Sequence, residues 1–279
     1  MNIKLNNGVL MPQFGLGTFL VPDGQSAYET VKYALSIGYR HIDTAQVYRN
    51  EQSVGDALRD SGIPREEVFI TSKQIGHYSE KPMQRLFDES LAKLQTDYID
   101  LYLIHWPNPK KEINQQTWAF FESLYEQKKV RAIGVSNFQR HHLQDLLETA
   151  KIKPMINQVE LHPGLNQAPL KAYLDKEDIA IESYGPFMKG GVFEGIYLDG
   201  LKPIAEKYQA SIPQIIIAWG LARGVIMIPK SVTPSRIEEN FKAQLIKLTA
   251  DEVEQINQLN RGKRVYTDPD NSPWGPYKE

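Results

Sequence analysis

"AIGVSNFQRHHLQDLLETAKIKPMINQVE" spans residues 132–160. It opens and closes on short, mostly apolar runs, 132–136 and 155–160, with a helical stretch over 140–150 between them. Short strands of this kind, with a helix in each connection, suit a parallel sheet covered by helices. The same alternation continues in both directions. Toward the N-terminus the strand-like runs are 14–17, 39–43, 68–72 and 99–105. The helical patterns that follow them cover 26–36, about 50–61, 81–94 and 115–128. In the first of these helices Ser26 and Glu29 have capping-box spacing, and Ala27, Val31, Ala34 and Leu35 share a face. In the third, Met83, Leu86, Phe87, Leu91 and Leu94 form a stripe. Toward the C-terminus a helix is expected over 168–176. The run 179–183 leads into an irregular stretch and helices near 200–208 and 211–221. The run 225–229 precedes a helix from about 234, with Thr233 as N-cap and Pro234 at its first position.

Eight strand–helix units predict an α/β fold, the (β/α)8 TIM barrel. An open doubly wound sheet is the rival on pattern alone. Two short runs, 3–5 and 9–11, flank Asn6-Asn7-Gly8 and read as an N-terminal β-hairpin across the barrel bottom. An extra C-terminal helix is expected near 250–260, capped by Thr249 with Glu252 three residues later, and the tail 261–279 reads as a loop. No linker or low-complexity block interrupts the 279 residues, so 1–279 is read as one domain.

A formal net charge of -2 gives no general pull toward nucleic acid or an anionic membrane. The chain has no cysteine, which removes disulfides, thiolate metal ligands and thiol nucleophiles. "MNIKLNNGVLMPQ" lacks the plan of a signal peptide, and no apolar run is long enough to span a bilayer. A cytoplasmic protein is expected.

Active sites of β/α barrels lie where the strands end. The residues there are Thr18, Asp43 and Tyr48, Lys73, His105, Ser136 and Asn137, Gln158 and Glu160, Tyr184, and Lys230 with Ser231. Asp43, Tyr48, Lys73 and His105 suggest proton transfer. A phenol has an ordinary pKa of about 10. A neighbouring ammonium would favour phenolate and lower it, a carboxylate would hold the ammonium, and a histidine could orient a substrate oxygen. Spacing equally allows a rim aromatic, an ordinary ion pair and a satisfied histidine. "IPKSVTPSRIEEN" (228–240) follows the last strand and opens a helix, where backbone N–H groups and the helix dipole favour an anion. Lys230, Ser231, Thr233 and Arg236 add donors. The competing reading is a solvated basic cap neutralised by Glu238 and Glu239. There is no G-x-G-x-x-G, P-loop or H-E-x-x-H motif. His41, His77, His141, His142 and His162 show no ligand spacing and read as structural or exposed, so no metal is expected.

The stretches "GLGT" (15–18), "GYRHIDTAQVYRNEQSVGDAL" (38–58), "VFITSK" (68–73), "DLYLIHWP" (100–107), "AIGVSNF" (132–138), "NQVELHP" (157–163) and "IPKSVTPSRIEEN" (228–240) occur in this order. With them the chain resembles the aldo-keto reductases over nearly its whole length. Its short loops are closest to the bacterial 2,5-diketo-D-gluconate reductase-like branch. The resemblance implies a barrel that moves hydride from NADPH to the carbonyl of an aldehyde or ketone, with neither metal nor flavin. It places the catalytic tetrad on Asp43, Tyr48, Lys73 and His105, with Tyr48 as the general acid. Ser136, Asn137 and Gln158 would hold the nicotinamide carboxamide, and Tyr184 would stack on the ring. Lys230, Ser231 and Arg236 would grip the 2′-phosphate, and Glu239 and Asn240 the adenine side. Thr18, Asp43 and Thr233 complete the expected cofactor surroundings. Phe19, Val47, His105 and Trp106 would line the substrate pocket, with Trp274 closing it. Two departures concern the pocket: Gln74-Ile75 after the lysine, and "SYGPF" (183–187) where a form closer to Y-S-P-L is usual. The variable loops 107–115, 187–199 and 261–279 would set the substrate, and the polar "NPKKEINQQ" leans toward small or polar carbonyls, including 2,5-diketo-gluconate-like ones. A monomer is the family's usual state.

Two other classes stay in view. A barrel glycosidase needs paired carboxylates, for which Glu160 and Glu182 are available. A reductase-like barrel could also bind NADPH as a redox-sensing subunit without turnover.

Overall fold

The computed structural model describes residues 1–74 and 80–271. Two short strands, β1 (Asn2–Lys4) and β2 (Leu10–Pro12), form the antiparallel hairpin expected around Asn6-Asn7-Gly8. The Asn6 side chain donates to the carbonyls of Pro154 and Asp178, which lie just before later strands, so the hairpin sits at the bottom of the sheet.

The parallel strands are β3 (Leu16–Gly17), β4 (His41–Asp43), β5 (Phe69–Gln74), β6 (Ile99–Ile104), β7 (Val130–Ser136), β8 (Ile156–Glu160), β9 (Ala180–Tyr184) and β10 (Ile226–Met227). They pair strictly in chain order. The outer two then meet each other. Gly15 N–H donates to Met227 O at 2.9 Å, Met227 N–H to Gln13 O at 3.0 Å, and Gly17 N–H to Pro229 O at 3.3 Å. The sheet therefore curls back on itself, which removes its edges, and the open-sheet rival is excluded. Gly17 is required at this seam, because a Cβ there would stand 2.7 Å from the Ile228 carbonyl oxygen. Every residue of β5, β6 and β8 is buried, the mark of strands covered on both faces.

The helices are α1 (Gln25–Ser36), α2 (Glu51–Asp60), α3 (Glu80–Leu94), α4 (Lys111–Glu126), α5 (Arg140–Leu147), α6 (Ala168–Lys176), α7 (Gly195–Lys207), α8 (Ile212–Ala222), α9 (Pro234–Lys242) and α10 (Ala250–Asn257). Thr249 and Glu252 form the capping box anticipated for α10. Among the described residues no helix is long and apolar enough to cross a membrane.

Several local expectations are corrected. Ser26 does not cap α1: the N-cap is Gly24, and Ser26 lies inside the helix. Helix α4 begins at Lys111 rather than near 115, so most of "NPKKEINQQ" is helical and not loop. The Asn114 side chain accepts from Asn108 N–H at 2.7 Å and donates to Asn108 O at 2.9 Å, which closes the turn before a polar first helical turn that shows no apolar period. Helix α7 starts at Gly195, ahead of 200, with Pro203 inside it. Thr233 is the N-cap of α9, but its side chain makes no capping bond; Ser231 Oγ accepts from Thr233 N–H at 3.1 Å instead. Ile75, His77 and Trp274 lie outside the described residues.

Candidate active site

Strand order and pleat bring four side chains together at the ends of β4, β5 and β6. Asp43 is the last residue of β4, and Lys73 lies beside it near the end of β5. Tyr48 follows β4 on a single 3-10 turn, Gln46–Tyr48, and His105 follows β6.

Lys73 is fully buried, and each of its three donors has a partner. They reach Asp43 Oδ1 at 2.6 Å, Thr44 O at 2.9 Å and Tyr48 OH at 3.3 Å. Because the Tyr48 oxygen accepts from Lys73, its own proton is left for another acceptor. The Tyr48 and His105 rings meet edge-on with centroids 5.6 Å apart. Phe19 packs on the other side of Tyr48 at 5.1 Å and is 45% exposed, so the apolar wall opens to solvent. Val47 and Trp106, next in the chain to Tyr48 and His105, are half-buried.

The electrostatics correct one expectation. Lys73 does not lower the Tyr48 phenol below its ordinary range. Burial pushes it well above, and Asp43, Glu182 and Tyr266 add to the rise. Removal from water outweighs the neighbouring ammonium, so Tyr48 holds its proton until an acceptor is presented. Burial, aided by the Lys73 charge, holds His105 well below the ordinary histidine range, so the ring is neutral. Its Nδ1 is buried and has no partner among the described residues. Burial raises the Asp43 carboxyl, while the Lys73 ammonium and the Gln158 amide oppose that rise.

The second circle of residues is partly engaged with itself. Thr18 is buried and donates its hydroxyl to Asp43 O at 2.9 Å, so it supports the β4 end. Ser136 Oγ donates to Gln158 O at 2.9 Å. Asn137, in the left-handed region with φ 67, donates to His105 O at 2.9 Å and accepts from Tyr184 OH at 2.7 Å. Gln158 turns its nitrogen to Asp43 Oδ2 at 2.8 Å. Lys230 and Arg236 are exposed, and among the described residues neither has a carboxylate partner. Glu238 pairs with Lys242 at 2.7 Å, and Glu239 accepts from the Ser211 hydroxyl, so neither neutralises the basic cap. Asn240 is buried.

These residues fit a nicotinamide dinucleotide phosphate. His105 Nδ1 is an orphaned buried polar atom beside Tyr48. Tyr184 presents an aromatic ring near the end of the sheet, and two cations without a carboxylate partner among the described residues, Lys230 and Arg236, stand before and at the start of α9.

Three sets of contacts escaped the sequence, two of them made by glutamates it had offered only as a carboxylate pair. Glu182, fully buried on β9, accepts from Gln158 at 2.8 Å. Glu160 ties down the tail, accepting from Val265 N–H at 2.6 Å, Tyr266 N–H at 3.3 Å and Arg264 at 3.3 Å, with His162 at 2.9 Å. Neither glutamate faces an open pocket, which removes the paired-carboxylate reading. The tied tail sets Tyr266 edge-on to Tyr184 at 5.3 Å. This accounts for Gly185: its φ is +62, and a Cβ would lie 2.4 Å from Tyr266 Cε2. The third feature is a clip of His141, 3.1 Å from Asp270, and His142, 3.5 Å from it. His142 Nδ1 accepts from Gln139 N–H, so the neutral ring turns a proton, not a lone pair, toward Asp270.

Burial and the Asp43 charge push the Glu182 carboxyl up to about 8. Below its ordinary value of 4.5 both folded and unfolded chains carry this proton. As pH rises toward about 8 the unfolded chain loses the proton and the folded chain keeps it. Stability then falls by about 1.4 kcal/mol per pH unit, levelling off above that value. Glu182→Gln removes this slope, so the variant gains on the parent by roughly 3 kcal/mol or more between pH 5 and 9. Urea midpoints of both proteins across that range check it; parallel curves contradict it.

A family model described as "Aldo/keto reductase family" matches residues 13–261. The chain is 46% identical over 269 residues to a glyoxal reductase of Bacillus subtilis, covering 96% of each chain. It is 43% identical over 269 residues to the methylglyoxal reductase DkgA of Escherichia coli, again covering 96% of each. Among solved structures, a point mutant of Gox0644 in complex with NADPH superposes with a TM-score of 0.89 at 36% identity, covering 98% of each chain.

Proposed function

The chain belongs to the aldo/keto reductase family, and from that premise we propose that it uses NADPH to reduce small aldehydes and ketones, with Tyr48 as the proton donor. It is an NADP-dependent oxidoreductase, and carbonyl reduction is its chemistry. The observation that carries the finer reading is the Lys73–Tyr48 contact at 3.3 Å, which leaves the Tyr48 proton facing the pocket.

When bound, the cofactor supplies hydride to the carbonyl carbon. The chain does the rest. Neutral His105 and Tyr48 direct N–H and O–H groups at the carbonyl oxygen. Tyr48 releases its proton to that oxygen as negative charge develops on it, and Lys73 stabilises the phenolate left behind. Asp43 keeps Lys73 in place. Ser136, Asn137 and Gln158 would hold the nicotinamide carboxamide, and Tyr184 would stack on the ring. The open apolar wall of Phe19, Val47 and Trp106 suits a small substrate. The names of the Bacillus subtilis and Escherichia coli relatives support an α-oxoaldehyde such as glyoxal or methylglyoxal. A single domain acting as a cytoplasmic monomer completes the proposal.

Turnover of NADPH against glyoxal, methylglyoxal, an aryl aldehyde, a dicarbonyl ketone and a diketo sugar acid tests the substrate class. The α-oxoaldehydes are expected to give the highest kcat/KM; preference for the diketo sugar acid overturns that ranking. Cofactor choice has its own test. The exposed Lys230 and Arg236, without a carboxylate partner among the described residues, suit a 2′-phosphate, and a charge-assisted contact is worth about 1.5–3 kcal/mol. Arg236→Ala is expected to weaken NADPH binding about tenfold or more while changing NADH less than twofold. Equal losses for both contradict the phosphate site.

A further inference from the structure

Gln158 stands between two buried carboxylates. Its side-chain nitrogen donates to Asp43 Oδ2 and to Glu182 Oε2, each at 2.8 Å. An amide NH2 has two protons, and both are engaged. Asp43 decides the amide's flip: turned the other way, the amide oxygen would face the Asp43 carboxylate, acceptor against acceptor.

Glu182 is set in the inner wall of the barrel. Asp43 and His41 face it from β4, Lys73 from β5 and Gln158 from β8, while its neighbour across β10 is the uncharged Ile226. His41 Nε2 is 3.7 Å from Glu182 Oε1 and is engaged with Thr71 Oγ1 at 3.2 Å. Among the described residues Glu182 Oε1 has no hydrogen-bond partner. As a neutral acid, held so by a carboxyl pushed up to about 8, it shares the amide with Asp43 without repelling it.

We propose that Glu182 is a positioning residue for the cofactor: with Asp43 it locks the Gln158 amide so that Oε1 faces the nicotinamide carboxamide as an acceptor. The proposal rests on the nicotinamide reading of the site. Glu182 touches neither cofactor nor substrate and acts only through Gln158. Asp43 alone fixes one proton of the amide; Glu182 fixes the second and closes off rotation about the last side-chain bond. Losing a correctly presented acceptor weakens the carboxamide contact by a factor typical of one neutral hydrogen bond, about three- to tenfold.

The test separates this contact from general damage. NADPH and its analogue with an acetyl group in place of the carboxamide are titrated by quenching of intrinsic fluorescence. The analogue has no N–H to offer Gln158. Wild type, Glu182→Met and Glu182→Gln are compared at pH 7. Glu182→Met is expected to weaken NADPH about fivefold and the analogue less than twofold. Glu182→Gln keeps an oxygen that can accept from Gln158 and is expected to restore most of the lost preference for NADPH. Should Glu182→Met not fold, Glu182→Ser, too short to reach Gln158, takes its place with the same expected shift. An unchanged ratio of NADPH to analogue affinity in the variants overturns the role of Glu182. Wild-type protein that binds neither nucleotide contradicts the cofactor reading instead.

Discussion

Tyr48→Phe is expected to lower kcat on any carbonyl substrate by about 10²–10⁴-fold, the range for losing a positioned general acid. NADPH affinity should change less than about twofold. The argument runs through one oxygen. Tyr48 OH accepts from Lys73 at 3.3 Å, so its own proton is the one presented to substrate. Burial holds that phenol well above its ordinary range, so it is protonated at the start of the reaction. Phenylalanine keeps the packing against Phe19 and His105 and deletes the hydroxyl, both the proton for substrate and the oxygen that accepts from Lys73. His105 is a poor replacement, because a neutral ring held well below its usual range gives up a proton at the cost of becoming an anion. Stopped-flow turnover with parallel NADPH titration checks this. A variant within threefold of the parent contradicts the assignment of Tyr48.

Lys73→Met is the second large effect, and it combines stability with activity. Lys73 and Asp43 are both buried, with Nζ 2.6 Å from Oδ1. Removing one partner of a buried pair strands the other and typically destabilises by about 3–5 kcal/mol. Asp43 then escapes part of that penalty by taking up a proton, since burial already raises its carboxyl. A carboxyl raised further in the folded state carries its stability below its unfolded range, so the variant's deficit shrinks as pH falls toward that range and is largest above it. Turnover falls as well, because no cation remains beside the Tyr48 oxygen to stabilise phenolate. Urea unfolding at pH 5 and pH 8 reads the first part and steady-state kinetics the second. A deficit independent of pH would show that Asp43 keeps its charge without Lys73.

Much of this was legible in the chain. The eight strand–helix alternations are local, so each unit can be read within a few dozen residues. The barrel rule then places Asp43, Tyr48, Lys73 and His105 on one rim without any contact being known. What stayed hidden depends on residues distant in sequence. Glu182 reads from the chain only as a carboxylate available to a glycosidase; its contact with Gln158 shows once β8 and β9 pair. Gly185 looks like a departure until Tyr266 is seen lying where a Cβ would be. The direction in which the Tyr48 phenol shifts follows from burial, which spacing does not report. Ser26 offered a cap at the right spacing, yet the chain enters α1 earlier, through Gly24, whose N–H donates to Ser53 Oγ on α2 at 2.7 Å. There a tertiary contact overrides a local signal.

The central claim is that hydride passes directly to the carbonyl carbon of a small substrate in this site. It is tested most directly by running the reaction on methylglyoxal with NADPH carrying deuterium at both C4 positions, in ordinary water. The account predicts one deuterium per product molecule, bonded to the former carbonyl carbon, with the hydroxyl proton drawn from Tyr48 and hence from solvent. Product formed without deuterium at that carbon, or NADPH bound with no product formed from methylglyoxal or any other carbonyl of the panel, would contradict it.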